Sequence, residues 1–365
     1  MTEEKNRHAL IALNAVKGIG PRTAHGLINY FGSPCEVFGR SEGSYPQLAG
    51  VRKSSYTELS RGIDMSFVRC QLDSAEKLNV RILSYMDEEY PDILREIYDP
   101  PVIIYIAGEY FFSDRSAVAI VGTRRATLRG RRAAGDISRG LAAAGFTVVS
   151  GLASGIDTAA HEGALAAGGR SGGVMGCGLD RIYPSCNRGL AERMCLSGFL
   201  ISEYPFFTPP DANNFPRRNR IISALSRGVL VVESGEKGGA LITVDFAAEQ
   251  NRDLFAVPGP VDESVCRGTN ELLKNGARPV TCASDIIFEY TSHSAIQETA
   301  VRRKPELSGI EMTISRAMEE GAVSLEDISE KSGLTIQELL AGLLTMEIKG
   351  YVSQMPGRCF KLNFI

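Results

Sequence analysis

The sequence has no tryptophan and only four histidines among its 365 residues, and its eight cysteines lie far apart with no CxxC pair. Structural zinc sites and disulfide frameworks both need Cys or His residues at short, regular spacings. We therefore expect no metal site and no disulfide framework. Dispersed free thiols are typical of a protein that stays in a reducing cytoplasm.

Long apolar runs are missing as well. No stretch approaches the ~20 consecutive apolar residues that a membrane helix needs, and the first residues carry mixed charge with no apolar segment behind them. We therefore expect a cytoplasmic protein with no membrane contact.

Charge of one sign is not in excess either, because 40 basic and 43 acidic residues give a net charge of -3. This net charge does not show whether the protein binds nucleic acid, since a binding patch depends on where the cations lie.

Recognisable catalytic motifs are also absent from the sequence. There is no GxSxG nucleophile elbow, no GxGxxG dinucleotide fingerprint and no P-loop lysine motif. His161 has no evident carboxylate and nucleophile partners in the sequence. We therefore predict a protein that is not an enzyme, with no catalytic residues and no cofactor.

The pattern of the residues that are present changes twice along the chain. Residues 1–75 read as short helices around a Gly18-Ile-Gly-Pro turn, either a SAM or helix-hairpin-helix-like domain or a simple packing module. Residues 76–292 alternate β-rich apolar runs with helical stretches, which predicts an α/β fold with an extended Rossmann-like, mainly parallel sheet. After a polar linker, residues 305–365 read as helix, turn, helix and wing, which predicts a winged-helix domain.

Glycines and cations follow the predicted strands of the central domain. Gly122, Thr123 and Arg124 follow the run 117–121, and Gly151 and Gly155 follow the run 146–150. An arginine fork beside free backbone N–H groups suits a phosphate, and open α/β sheets bind ligands at the carboxyl ends of their strands. Two plainer interpretations remain open: the glycine turn is only a tight connection, and Arg129, Arg131 and Arg132 are a solvated helix face.

A third cluster places Arg217, Arg218, Asn219 and Arg220 at the start of a helix that is predicted to begin at Pro216. Positive charge at a helix N-terminus is unfavourable by ~0.3–1 kcal/mol per group, so three arginines there favour a shared anion.

A fourth loop, after the run 228–232, contributes Lys237, Gly239 and Thr243. We expect the four loops to meet at one rim of the sheet and to bind phosphate.

Several of these motifs occur in one order: Gly122-Thr-Arg, Ser150-Gly-Leu-Ala-x-Gly-Ile-Asp, Gly178-Leu-Asp-x-Ile-Tyr-Pro, Asn214-Phe-Pro-x-Arg-Asn-Arg-Ile-Ile, Gly239-Ala-Leu-Ile-Thr and Val257-Pro-Gly. From about residue 80 to 290 the chain resembles the DprA (Smf) family, the DNA-processing proteins of natural transformation. The resemblance implies an extended Rossmann fold, a homodimer, cytoplasmic binding of single-stranded DNA, protection of incoming DNA and loading of the RecA recombinase.

Carried over by position, the resemblance also implies roles for single residues. Arg124, Arg218 and Arg220 would hold phosphates, while Gly151, Gly155 and Asn219 would shape the pocket. Ser154 and Ser185 stand where relatives often have a basic residue, so some pocket charge is missing. Arg217, at a variable position, would compensate in part.

Two other functions remain open from the sequence. One is a nucleotide phosphoribohydrolase of the lysine-decarboxylase-like group, whose glycine loop resembles Gly238-Gly239 to Thr243; Glu249 is the nearest candidate acid, but the leading Pro-Gly-Gly of that loop is absent. The other is a pure interaction scaffold.

The last predicted domain has nine acidic and five basic residues, which favours protein contact or regulation over binding in a DNA groove.

Overall fold

The computed structural model describes residues 2–48, 50–291, 309–319, 324–349, 351–355 and 359–362. The linker predicted at 292–305 lies outside the described residues. The chain divides into two compact units, Met1–Ile287 and Phe288–Ile365.

The first unit begins with four helices. They are α1 (Thr2–Ala15), α2 (Pro21–Phe31), α3 (Lys53–Ser60) and α4 (Met65–Leu78). The turn between α1 and α2 uses Gly18 at φ +85°, and Pro21 opens α2, where its missing N–H costs nothing. Leu10 and Leu27 of these helices share one buried apolar cluster with Tyr105 of the sheet. The helical segment therefore packs in the same unit as the sheet.

Nine strands form one sheet. They are β1 (Val80–Ser84), β2 (Ile103–Gly108), β3 (Ala117–Val121), β4 (Thr147–Ser150), β5 (Ser171–Met175), β6 (Phe199–Ser202), β7 (Gly228–Val231), β8 (Asp253–Ala256) and β9 (Arg278–Pro279). Their order is β1-β2-β6-β5-β4-β3-β7-β8-β9, with β1–β2 and β2–β6 antiparallel and every other pair parallel. This mostly parallel sheet confirms the predicted fold class.

Eight further helices belong to the α/β region. They are α5 (Asp92–Arg95), α6 (Leu128–Ala143), α7 (Ile156–Ala166), α8 (Arg188–Ser197), α9 (Asn214–Ala224), α10 (Gly239–Glu249), α11 (Arg267–Lys274) and α12 (residues 283–291). Every residue of β3 is buried, as expected for a parallel strand inside an α/β fold. Strand β3 lies between β4 and β7. The strands that follow it, β4, β5 and β6, are added on one side of β3, whereas β7, β8 and β9 are added on its other side. Such a change of direction is where open α/β sheets form a ligand crevice.

Helices α6 and α7 approach each other through glycine. A Cβ atom built on Gly163 would lie 2.3 Å from the carbonyl oxygen of Gly135, so no side chain fits between the two backbones. The contact fixes the spacing of these helices on one face of the sheet.

The second unit contains the predicted winged helix. Its elements are α13 (Gly309–Glu319), α14 (Leu325–Ser332), α15 (Ile336–Ile348), β10 (Val352–Met355) and β11 (Cys359–Leu362). Thr335 and Glu338 form a capping box at the start of α15, and Gly333 ends α14 in the left-handed conformation. Ile314, Leu339 and Phe360 lie in its core. Within the described residues, no helix is long and apolar enough to cross a bilayer.

Candidate nucleic-acid interface

A crevice of about 540 Å³ lies at the carboxyl ends of β3, β4 and β7, where the sheet changes direction. Its walls come from the turns after these strands and from the first turns of α9 and α10. Among the predicted site residues, it is lined by Gly122, Thr123, Arg124, Arg218, Asn219, Gly239 and Thr243. The folding of the sheet thus brings together residues that are more than a hundred positions apart in sequence.

The turn after β3 presents Arg124. A Cβ atom on Gly122 would lie 2.5 Å from Ile156 Cγ1, so only glycine lets this turn pack against α7. The N–H of Thr123 donates to the carbonyl oxygen of Glu233 at 2.8 Å, which ties the turn to the end of β7. Arg124 is exposed, and its guanidinium lies over the Phe215 ring, 4.9 Å from the ring centroid.

The turn after β4 supports the crevice from below. Asp157 accepts hydrogen bonds from the N–H groups of Gly151 at 3.2 Å and Ala153 at 3.3 Å. Helix α7 begins at Ile156, so Asp157 lies in its first turn and its carboxylate organises the turn before the helix. Gly155, at φ +90°, lies beneath the Thr123 carbonyl, where a Cβ atom would come within 2.4 Å. Gly151 and Gly155 therefore hold the turn and do not line the crevice.

Arg218 forms the buried floor of the crevice. Its Nη1 donates to the carbonyl oxygens of Gly151, at 2.9 Å, and Val174. Burial lowers the pKa of the guanidinium to about 10, against the opposing attraction of Asp157. Burial also raises the pKa of Asp157 to about 6, and here the attraction of Arg218 opposes the shift. The floor therefore contains one fixed cation beside a carboxyl group that binds a proton more readily than an exposed one.

The predicted phosphate contact of Arg220 is contradicted by its position. Arg220 is 3% exposed and lies outside the crevice lining, and its guanidinium pairs with Glu203 at 2.6 Å and Asp99 at 2.9 Å. These carboxylates supply the negative charge for which the sequence suggested an external anion. Arg220 therefore fastens α9 to the protein.

Helix α9 differs from the prediction in its first turn too. It begins at Asn214, two residues before Pro216, so its arginines occupy the fourth, fifth and seventh positions of the helix. Arg217 is exposed but outside the crevice lining. The arginines consequently diverge: Arg217 points to solvent, Arg218 to the floor and Arg220 to two carboxylates.

The N-terminus of α10 closes the crevice on the other side. Gly238 is the N-cap residue, and Gly239, Ala240 and Thr243 line the crevice. The first N–H groups of a helix have no intrahelical partner and form a partial positive charge that suits an anion. Lys237 precedes this turn and is exposed outside the crevice lining.

An aromatic pair on the crevice wall was missed by the sequence analysis. Tyr183 and Phe215 have ring centroids 5.6 Å apart with planes tilted by 33°, and the Tyr183 side chain is 43% exposed. Phe215 packs beside Gly176, where a Cβ atom would lie 2.9 Å from the ring. The missing side chain at residue 176 leaves room for the ring at the crevice wall.

The candidate acid-base groups of the sequence lie away from this crevice. Glu249 is the last residue of α10, roughly 15 Å along the helix axis from Gly239 at 1.5 Å per residue. His161 is fully buried with Nδ1 2.8 Å from Ser171 Oγ, and burial lowers its pKa to about 3. Asp157 is the one carboxylate among the described residues that line the crevice. Within the described ranges, no cluster of three or more His, Cys, Asp or Glu residues is arranged to hold a metal.

Comparison with protein-family models matches both parts of the chain. Residues 81–291 match DNA recombination-mediator protein A, and residues 298–358 match the DprA winged helix domain. Among curated proteins, the chain is 36% identical to Protein Smf of Synechocystis sp. over 322 residues, which cover 78% of this chain and 81% of that protein. It is 39% identical to the DNA processing protein DprA of Bacillus subtilis over 221 residues, covering 60% of this chain and 74% of the relative.

Two solved structures are similar to more than half of this chain. The X-ray structure of DprA from Streptococcus pneumoniae superposes with a TM-score of 0.66 at 30% identity, covering 79% of this chain and 99% of that one. The DNA processing protein A of Helicobacter pylori, whose structure describes a single-stranded DNA binding mode, superposes with a TM-score of 0.54 at 31% identity, covering 59% and 97%.

Proposed function

This chain belongs to the DNA recombination-mediator protein A (DprA, Smf) family, and from that premise we propose that it is a DNA-processing protein that binds single-stranded DNA at the crevice between β3 and β7. One observation carries the proposal. Arg124, the buried cation of Arg218 and the N-terminus of α10 all border one crevice. A phosphodiester placed there meets an exposed guanidinium, an embedded positive charge and free helix N–H groups at once.

The aromatic wall of the crevice favours a single strand over a duplex. Stacking on a side chain such as Tyr183 needs an unpaired base face, which a duplex does not offer. The stack of Arg124 on Phe215 places a phosphate-binding group directly beside a ring surface. Phosphate contacts of this kind give affinity without sequence information. Binding is therefore expected to tolerate any base sequence.

The wider role that fits this site is in natural transformation. We propose that the protein is cytoplasmic, acts as a homodimer, protects incoming single strands and loads RecA onto them, without catalysing a reaction on the DNA. The support is the family and the Helicobacter pylori relative solved for its single-stranded DNA binding mode. Among the described residues, Asp157 is the one carboxylate that lines the crevice, and it already accepts hydrogen bonds from backbone N–H groups, so it is not a free general base.

The winged helix suits a protein contact better than a DNA groove. Helix α15 exposes Ile336, Leu340 and Leu344, which recur every four residues on one side of the helix. A helix that enters a DNA groove needs cations for phosphate contacts, whereas this surface is apolar and the domain is acidic. We propose that this domain binds a protein or regulates the first unit.

The test measures fluorescence anisotropy of labelled oligo-dT and of a matched duplex across a salt series. Wild-type protein should prefer the single strand, and its affinity should fall steeply with salt because each neutralised phosphate releases counterions. Arg124→Ala should weaken oligo-dT binding by roughly tenfold and lower the slope by about 0.7, the value for one single-strand phosphate. Arg69→Ala, which removes an exposed arginine on α4, is the matched control. Equal affinity for both nucleic acids, or an unchanged Arg124→Ala variant, would overturn the proposal.

A further inference from the structure

We propose that the groove between α6 and α7 is a second phosphate track, which receives the single strand where it leaves the crevice and holds it with Arg131 and Arg132. The groove (the α6 groove below) is lined by Arg131, Arg132, Ser154, Gly155, Thr158 and Asn187, among others. This inference rests on the proposed function, because it extends the path of the same strand.

The ion pairing of α6 separates its arginines into two groups. Arg129 pairs with Glu263, and Arg139 pairs with Asp136 at 2.7 Å. Arg131 and Arg132 are exposed, and within the described parts of the chain neither forms an ion pair. Adjacent like charges without a counter-charge add nothing to the stability of the fold. They do create a local positive potential that attracts a polyanion.

The carboxylates of the α6 groove do not cancel this charge. Asp136 is neutralised by Arg139, which leaves Glu162 on α7 as the other acidic residue of the lining. Arg131 and Arg132 lie one to two turns nearer the start of α6 than Asp136. The beginning of the groove, which adjoins the crevice, is therefore its positive end.

The floor of the α6 groove is shaped by small residues. Gly135 and Gly163 meet backbone to backbone, and Gly155 and Ala159 continue the lining. A floor without large side chains leaves the arginines standing along its edge. A sugar–phosphate backbone can then lie against the protein within reach of both guanidinium groups.

The crevice and the α6 groove share one wall. In the turn after β4, Ala153 lines the crevice, while Ser154 and Gly155 line the groove. Gly155 packs directly beneath the carbonyl oxygens of Thr123 and Arg124. A strand held at Arg124 thus passes from one site to the other over a single turn of the chain.

The test compares oligo-dT of about three nucleotides, short enough to bind in the crevice alone, with oligo-dT of about thirty, which reaches beyond it. Arg131→Ala with Arg132→Ala should leave the affinity for the short oligonucleotide within about twofold of wild type. The same double variant should weaken the long one by roughly five- to tenfold and lower its salt slope by about 1.4, or 0.7 for each of two phosphates. Arg131→Lys with Arg132→Lys should restore most of the loss, since the charge is kept.

The matched control removes two exposed arginines far along the sequence, Arg61 and Arg69, and should leave both affinities unchanged. Wild-type affinity of the double alanine variant for the long strand would overturn the track, and so would equal weakening for both lengths. Circular dichroism and thermal unfolding verify that each variant is folded. Arg124→Ala keeps the two proposals apart: if it fails to weaken the short oligonucleotide, the crevice itself is refuted, whatever the α6 groove does.

Discussion

Asp157 and Arg218 bind opposite sides of the same residue: the Gly151 N–H donates to Asp157 Oδ2 at 3.2 Å, and the Gly151 carbonyl accepts from Arg218 Nη1 at 2.9 Å. The turn after β4 is thereby clamped between α7, which carries the carboxylate, and α9, which carries the guanidinium. Each buried charge is compensated chiefly by the other. The floor of the crevice therefore depends on both.

We expect Arg218→Ala to lower the free energy of unfolding by about 3–5 kcal/mol, because it leaves Asp157 as a buried charge without its partner. The neighbouring exposed Arg217→Ala should change it by no more than about 0.5 kcal/mol. Urea denaturation followed by circular dichroism measures both values. Equal effects at the two positions would contradict the clamp.

Arg220 and Arg124 should separate stability from binding. Arg220→Ala leaves the buried carboxylate of Glu203 without its ion-pair partner, so we expect a loss of about 3–5 kcal/mol in the free energy of unfolding. Where that variant is still folded, its affinity for oligo-dT should match wild type, because Arg220 lies outside the crevice. Arg124→Ala should show the reverse, with weakened binding and unchanged stability. Weakened binding by folded Arg220→Ala would return Arg220 to the phosphate site.

The pH dependence of stability should reveal two opposing groups on α7. The pKa of Asp157 is raised from 3.8 to about 6, so between these values the folded state holds a proton that the unfolded state has lost, and stability falls as pH rises. The pKa of His161 is lowered from 6.5 to about 3, so there the unfolded state holds the extra proton and stability rises with pH. The two slopes, at most about 1.4 kcal/mol per pH unit each, oppose one another between pH 3.8 and 6.

Replacing Asp157 or His161 singly should therefore reveal the pH dependence of stability that the other residue causes. From pH 4 to 6, stability should rise more steeply with pH in Asp157→Asn than in wild type, and less steeply, or even fall, in His161→Gln. Chemical denaturation at a series of pH values, with the ionic strength held constant, measures both. Profiles parallel to wild type in both variants would rule out these pKa shifts.

Gly155 and Gly145 form a matched pair of glycines with positive φ, at +90° and +87°. A methyl group on Gly145 meets open space, so Gly145→Ala should cost only the backbone strain of about 1–2 kcal/mol. On Gly155 the same group comes within 2.4 Å of the Thr123 carbonyl, so Gly155→Ala should cost more and also weaken oligo-dT binding by moving Arg124. Similar losses for the two variants would mean that the turns after β3 and β4 do not support each other.

Most strands of the sheet were predictable because they are buried. Ala117–Val121 appears in the sequence as an unbroken apolar run, and the structure has a strand with those bounds. The exposed two-residue strand β9 has no such run in the sequence. The winged helix was predictable from its turn and capping residues, such as Gly333 and Thr335. Local chemistry was enough for both.

The roles of the arginines of α9 were harder to predict from the sequence, because they depend on partners that are distant in the chain. The sequence rule that crowded cations need an anion holds for Arg220, but the anions are Glu203 and Asp99, brought in by the fold. Phe215 fitted the apolar stripe of a helix, and only the absence of a side chain at Gly176 frees it for the crevice wall. Neither relationship leaves a periodic signal in the sequence.

Gly135 and Gly163 touch through bare backbone, and the two helices that they join each support a different part of the proposed DNA path. Helix α7 begins with the turn of the crevice, while α6 carries the arginines of the α6 groove. The absence of side chains at these two glycines therefore sets the distance between the phosphate contacts proposed for the crevice and for the α6 groove. A side chain on residue 163 would collide with the backbone of Gly135, push the helices apart and change the distance between the two proposed phosphate contacts.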